Sequence, residues 1–94
     1  MPNIKVIIPA YNEADSIAHV INDIPDIVNE IIVVSNNSTD DTENNAKKAG
    51  ATVLSESNKG YGYACLKGMD YISTQTKKPD IIVFLDGDYS DYPE

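Results

Sequence analysis

The 94-residue sequence has no tryptophan, one phenylalanine, one cysteine (Cys65) and one histidine (His19). A single thiol builds no disulfide framework, and one Cys with one His cannot supply the ligand set of a zinc cluster. Basic residues are scarce: seven Lys and Arg stand against fifteen Asp and Glu, a net charge of −8. Affinity for a nucleic-acid backbone comes from Lys and Arg, so nucleic acid is excluded as the expected partner. A phosphate ligand that arrives with a metal ion is not. Apolar runs are short; none approaches the ~18 residues of a membrane-crossing helix. The run after Lys5 is broken by Pro9, so no signal peptide is read there. With its lone thiol the chain is expected to be cytoplasmic. Internal repeats and low-complexity tracts are absent as well.

What is present is a 41% hydrophobic content, which suits a globular chain rather than a disordered one, laid out in alternating patterns. Ile4 to Ile8 is a short apolar run stopped by Pro9 and predicts a buried strand. Asn12 or Asp15 is placed to cap a helix whose apolar positions Ile17, Val20, Ile21 and Ile24 recur at helical spacing, with Pro25 as its stop. His19 falls off that stripe. Glu30 to Val34 predicts a second buried strand, β-branched at four successive positions. Ser38, Thr39 and Asp40 offer N-caps, with Glu43 three residues after Asp40; Lys47 and Lys48 close the helix and Gly50 stops it. Ala51 to Leu54 is a third strand. The loop from Asn58 to Gly62 leads into a helix from about Tyr63 to Ser73, with Ala64, Cys65, Met69 and Ile72 as its core contacts. Asp80 to Leu85 is the fourth strand.

Strands and helices in alternation, with runs buried on both faces, predict a single α/β domain: a Rossmann-like parallel sheet flanked by helices, with the first strand internal. Ligands of open α/β sheets bind beyond the carboxyl ends of the strands. Here those ends carry Pro9 to Glu13, Ser35 to Ser38, the loop with Lys59, and Asp86 to Asp88.

The last apolar run opens onto Asp86, Asp88, Asp91 and Glu94. In an extended segment Asp86 and Asp88 aim to the same side. Two ionised carboxylates together repel and lose solvation, and a divalent cation removes both penalties. Magnesium and manganese take one or two carboxylates plus phosphates and water. A solvated turn accounts for the same acids. A calcium loop does not, because Asp91 stands where such a loop needs Gly.

The stretches VIIPAYNEADSI, EIIVVSNNSTDDT, NKGYGYACLKGM and VFLDGDYSDYPE, in this order and spacing, resemble the start of family 2 glycosyltransferases, nearest the branch of polyprenyl- or dolichyl-phosphate sugar synthases. The resemblance implies a GT-A fold, a UDP- or GDP-sugar donor, Mg or Mn, and inverting transfer, with a polyprenyl phosphate or glycan as acceptor and a place at the membrane surface for the full-length protein. By position it puts Pro9, Ala10, Tyr11 and Glu13 in the nucleotide pocket, Lys59 near the nucleotide, Asp86 near the ribose or sugar and Asp88 on the metal. One segment departs from the pattern. Where the family reads Val-Val-Asp-Asp or Val-Val-Asp-Asn, this chain has Ser35-Asn36 after the valines. Ser35 or Asn36 is left to accept the base's hydrogen bond, more weakly than a carboxylate would, and Asp40 is expected as a helix cap.

The resemblance also implies that the general base and acceptor site lie beyond residue 94, so these residues form the donor-binding part, with an uncovered sheet edge suited to self-association. Two other classes stay open: a non-catalytic nucleotide- or metal-binding module, and a receiver-like signalling domain. The latter wants an acidic pair after the first strand, where Pro9-Ala10-Tyr11 stands.

Overall fold

The computed structural model describes residues 3–76 and 78–85. Four parallel strands, β1 (Ile4–Ala10), β2 (Glu30–Ser35), β3 (Thr52–Ser55) and β4 (Ile81–Phe84), lie in the order β3-β2-β1-β4. The first strand is internal, as expected. Helices α1 (Ile17–Asn22), α2 (Thr42–Lys48) and α3 (Tyr61–Ser73) connect them.

The period-two alternation of the strands divides the core in two. Val6, Ile8, Ala10 and Val33 pack with Ile17, Val20 and Ile21 of α1 and Ala46 of α2. Ile7, Ile32 and Val34 point the other way and pack with Ala64 and Ile72 of α3. Because α1 and α2 cover one face and α3 the other, every residue of β1 is buried.

Pro9 does not end β1. It is paired in register with Val34, and the strand continues to Ala10. Parity explains this. In a parallel strand the N–H and C=O of one residue point to the same neighbour, and successive residues alternate. The carbonyls of Ile4 and Ala10 accept from Asn29 and Asn36 on the β2 side, whereas that of Ile7 accepts from Leu85 on the β4 side. Pro9 shares the parity of Ile7, so its missing N–H faces the β4 side, where the described pairing ends at Ile7. No hydrogen bond to β2 is lost.

Other boundaries shift. Neither Asn12 nor Asp15 caps α1; Ser16 occupies that position without a side-chain cap bond, and the helix ends at Asn22, before Pro25. Asp41, not Asp40, occupies the N-cap position of α2, without a side-chain cap bond; Asp40, one residue earlier, accepts from the Thr42 N–H at 3.0 Å and from the Thr42 hydroxyl. Glu43 makes no capping box and instead accepts from Ser55 Oγ. β3 begins one residue late and α3 two residues early, after Gly60 at φ 129°. His19 is exposed, as expected. In α3, Ala64 and Ile72 are core, but Met69 is 44% exposed and Cys65 only half-buried. The residue that meets the sheet is Gly68. A Cβ there would lie 2.8 Å from Ile7 Cγ2, so α3 approaches β1 as closely as it does because no side chain intervenes.

At the opposite, amino ends of the strands Glu30 gathers four donors. Lys5 Nζ (2.8 Å) and Gln75 Nε2 (3.1 Å) reach Oε1, while Thr52 Oγ1 (2.9 Å) and Tyr71 OH (2.8 Å) reach Oε2. The first three strands and the end of α3 are tied at this carboxylate. Burial pushes its pKa up, but the bonds from Lys5, Gln75, Tyr71 and Thr52 outweigh that and lower it to about 2.

Candidate functional site at the carboxyl ends of the strands

The crossovers from β1 to β2 to β3 run one way, and the connection to β4 returns to the other side of β1. The end of β1 is therefore a topological switch point, where helices diverge to opposite faces and a crevice opens. Its walls are the loops after β1, β2 and β3.

The first two loops are bound to each other. Asn36 N–H donates to Ala10 O at 2.8 Å. Asn12 N–H donates to Ser38 Oγ at 3.1 Å, and Asn12 Oδ1 accepts from Thr39 N–H at 2.8 Å. Glu13 N–H donates to Thr42 Oγ1 at 2.8 Å, Ala14 N–H to Asp40 Oδ2 at 3.3 Å, and Asn45 Nδ2 to Ala14 O at 2.9 Å. Asn12 (φ 51°) and Asn37 (φ 64°) take left-handed backbone, which Asn tolerates better than most side chains. The hydrogen bonds from Thr42 are the main cause holding the Asp40 carboxyl below its ordinary pKa. With its oxygens on Thr42 and Ala14, Asp40 is a structural clasp.

The third loop is bound to the second. Asn36 Nδ2 donates to Glu56 O (3.2 Å) and Asn58 O (2.7 Å), while its Oδ1 accepts from Gly60 N–H (3.0 Å). Asn37 Nδ2 donates to Ser57 O at 2.9 Å.

Where the three loops meet lies a cavity of about 220 Å³ lined by Tyr11, Asn36 and Lys59. Tyr11 is 58% exposed. Lys59 is exposed too, with no carboxylate partner among the described residues. Pro9 and Ala10 close β1 just below, and Glu13 is half-buried beside Thr42. Ser35, level with Ala10, is only 1% exposed, and its Oγ has no hydrogen-bond partner. An unpaired buried hydroxyl is costly, so this one has a bond left to make. Asp86 and Asp88 lie outside the described residues. Leu85, whose N–H donates to Ile7 O at 3.1 Å, is the last described residue before them.

A larger groove, about 660 Å³, runs along the outer side of α3 past Tyr63, Leu66 and Met69. It reaches Glu56 in the loop after β3 but gathers none of the candidate nucleotide-binding residues. What sequence reasoning missed is the role of Asn37 and the loop from Glu56 to Asn58. The one available signal was the run of three short polar residues, Ser35-Asn36-Asn37, directly after a buried strand.

The family model for glycosyl transferase family 2 matches residues 5–94. Protein RfbJ of Shigella flexneri is 43% identical over 88 residues, covering 92% of this chain and 64% of that protein. The glucosyl-3-phosphoglycerate synthase of Mycolicibacterium paratuberculosis is 37% identical, covering 90% of this chain and 28% of its own length. Among solved structures, the Mycobacterium tuberculosis glucosyl-3-phosphoglycerate synthase with UDP superposes with a TM-score of 0.80 at 35% identity, covering 94% of this chain and 34% of that one. The same enzyme with Mn2+, UDP-glucose and phosphoglyceric acid gives a TM-score of 0.77, again at 35% identity, with 92% and 33% covered. These likenesses carry the GT-A fold and the family, not the polyprenyl-phosphate branch expected above, which none of these names mentions. With the family pattern matched from Lys5 onward on a parallel sheet whose loops meet at the switch point, the chain belongs to glycosyl transferase family 2.

Proposed function

We propose that these residues form the donor-binding part of a metal-dependent glycosyltransferase, taking a UDP-sugar in the crevice at the end of β1. The observation that carries this is the cavity between Tyr11, Asn36 and Lys59, three residues singled out by position and brought together from three separate loops. Its volume falls short of the ~300–1,000 Å³ of a complete small-molecule site, so it takes one part of a nucleotide and leaves the rest to run along the strand ends. Tyr11 offers an exposed ring edge or face and Lys59 a positive charge for phosphate. Pro9, Ala10 and Glu13 support the loop that carries Tyr11. The Ser35 hydroxyl is the polar group left for the base, and as a neutral partner it holds a base more weakly than a carboxylate.

Asp86 and Asp88 are the residues proposed to hold Mg or Mn, Asp88 on the ion and Asp86 nearer the ribose or sugar. Among the described residues no group of three His, Cys, Asp or Glu is placed to hold a cation, and the two carboxylates directly follow a strand directed at the site. A divalent cation there supplies Lewis-acid relief of the charge gathering on the departing diphosphate. The M. tuberculosis enzyme crystallised with Mn2+ and UDP-glucose supports UDP over GDP. The acceptor, whether a phosphorylated small molecule or a polyprenyl phosphate, is assigned to no described residue. Donor binding, rather than turnover, is the property proposed for this chain.

Calorimetry tests it. Mn2+ and UDP are expected to bind with positive coupling, each raising affinity for the other, and GDP to bind more weakly. Asp88→Asn should weaken Mn2+ binding at least about tenfold, as loss of one charged ligand does, with the melting curve unchanged. Equal binding of Mn2+ and UDP by parent and Asp88→Asn would remove the metal from the reading. No binding of UDP by the parent would end it.

A further inference from the structure

The Asn36 side chain has little left to give a nucleotide. Both of its amide hydrogens are donated, to Glu56 O and Asn58 O, and its oxygen already accepts from Gly60 N–H. These three bonds cross from the end of β2 to a loop 20 to 24 residues away. They grip that loop on both sides of Lys59: Asn58 before it, Gly60 after it. Asn37 adds a bond to Ser57 O, Glu56 N–H donates to Ser35 O at 2.9 Å, and Glu56 Oε2 accepts from Asn58 N–H at 2.9 Å. Every residue from Glu56 to Gly60 except Lys59 itself is thus held by at least one bond through its backbone.

We infer that Asn36 is a positioning residue: it contributes to donor binding by fixing the loop so that the Lys59 ammonium stands at the cavity, rather than by contacting the base. This rests on the donor-binding reading above. The charge of the chain gives it weight. At −8 overall, the protein repels a diphosphate, and among the described residues Lys59 is the one cation lining the cavity. A lysine on a free loop would lose rotamer and backbone freedom each time it met a ligand. Fixing the loop beforehand removes the backbone part of that cost. An amide at position 36 suits the task because it supplies two donors and an acceptor in one plane. Asp, the other residue the family pattern admits there, would present a carboxylate to the carbonyls of Glu56 and Asn58 and repel them.

The test compares UDP, uridine and inorganic pyrophosphate, each with Mn2+, on the parent, Asn36→Ala, Asn36→Asp, Lys59→Met and the Asn36→Ala/Lys59→Met pair. Folding is checked by melting. Asn36→Ala and Lys59→Met are each expected to weaken UDP and pyrophosphate about tenfold, in keeping with one charge-assisted contact, and to leave uridine unchanged. The double variant should be no weaker than either single, because Asn36 acts through Lys59. Asn36→Asp keeps the acceptor for Gly60 but loses both donors, so it should behave as Asn36→Ala if it folds. Hydrogen exchange at the Gly60 amide should quicken in Asn36→Ala and stay slow in Lys59→Met. Additive losses in the double variant, or loss of uridine affinity in Asn36→Ala, would overturn the proposal in favour of a direct base contact. An unchanged UDP affinity in Asn36→Ala, with the parent binding UDP, would overturn it alone. A parent that binds neither UDP nor pyrophosphate would overturn the donor reading and this proposal together.

Discussion

Glu30 is the perturbation from which the structure yields a magnitude. Its pKa falls from 4.5 to about 2 on folding. At about 1.4 kcal/mol for each unit, that difference amounts to about 3 kcal/mol. The carboxylate is 19% exposed and its Lys5 partner 11%, so screening trims the figure to about 2 kcal/mol. A depressed carboxylate stabilises the fold fully above its unfolded pKa, and the contribution is lost as pH falls from about 4.5 through about 2. Glu30→Gln keeps the shape and some of the bonds but leaves the buried Lys5 ammonium without its counter-charge. Urea unfolding of parent and variant, followed by circular dichroism from pH 7 to pH 2.5, reads the difference. The variant is expected to be about 2 kcal/mol less stable at pH 7, and the gap should shrink to about a quarter of that by pH 2.5. The comparison cancels the acid response of the other carboxylates, which both proteins share. Parallel curves, with the same gap at every pH, would refute the reasoning: the hub would then act by packing and neutral hydrogen bonds alone.

Two further outcomes follow from the fold. Gly68→Ala gains at most about 1 kcal/mol in helix propensity, but it drives a Cβ to 2.8 Å from Ile7 Cγ2, a methyl of a fully buried β-branched side chain whose χ1 is stiff. Overpacking of that kind costs about 1–3 kcal/mol, so chemical denaturation should find the variant destabilised by about 1 kcal/mol; a stabilised variant would mean α3 can lift from β1 at no cost. On β4, Ile81, Val83, Phe84 and Leu85 are all at least 36% exposed, beside a strand edge unpaired among the described residues. Sedimentation velocity of the 94-residue chain should find a mass rising with concentration, reduced by Phe84→Lys, whereas a monomer at all concentrations would show that the edge is closed by other means.

The parts of this fold that local chemistry dictates were legible, and those set by distant partners were not. Ile31 to Val34 is β-branched and apolar, and nothing but a buried strand suits it. Gly50, at φ 101°, ends α2 where an L side chain would be strained. By contrast, Met69 reads as core from its apolar side chain, yet it faces outward because Gly68 is the residue that lets α3 reach Ile7. Pro9 reads as a strand end because its missing donor is a local fact, while the side on which the donor is missing depends on strand order. At the site, Tyr11, Ser35 and Lys59 could be proposed from their places at strand ends. The capture of the loop from Glu56 to Gly60 by Asn36 could not, since no spacing rule links residues more than twenty positions apart.

The placing of β4 has a consequence for how the chain acquires its structure. β1, β2 and β3 can associate through crossovers of ordinary length, but β1 meets β4 only when Ile4 finds Ile81, and Asn3 N–H is held by Asp80 Oδ2 across 77 intervening steps of chain. Closing so long a loop is entropically costly and slow. On a ribosome, β1 precedes the other three described strands, and of the two inner strands it is the last to be flanked on both sides. Until residue 81 emerges, Asn3, Lys5 and Ile7 present unmet N–H and C=O groups along a strand whose side chains are otherwise ready for burial. An inner strand of the described sheet is, until β4 arrives, an edge.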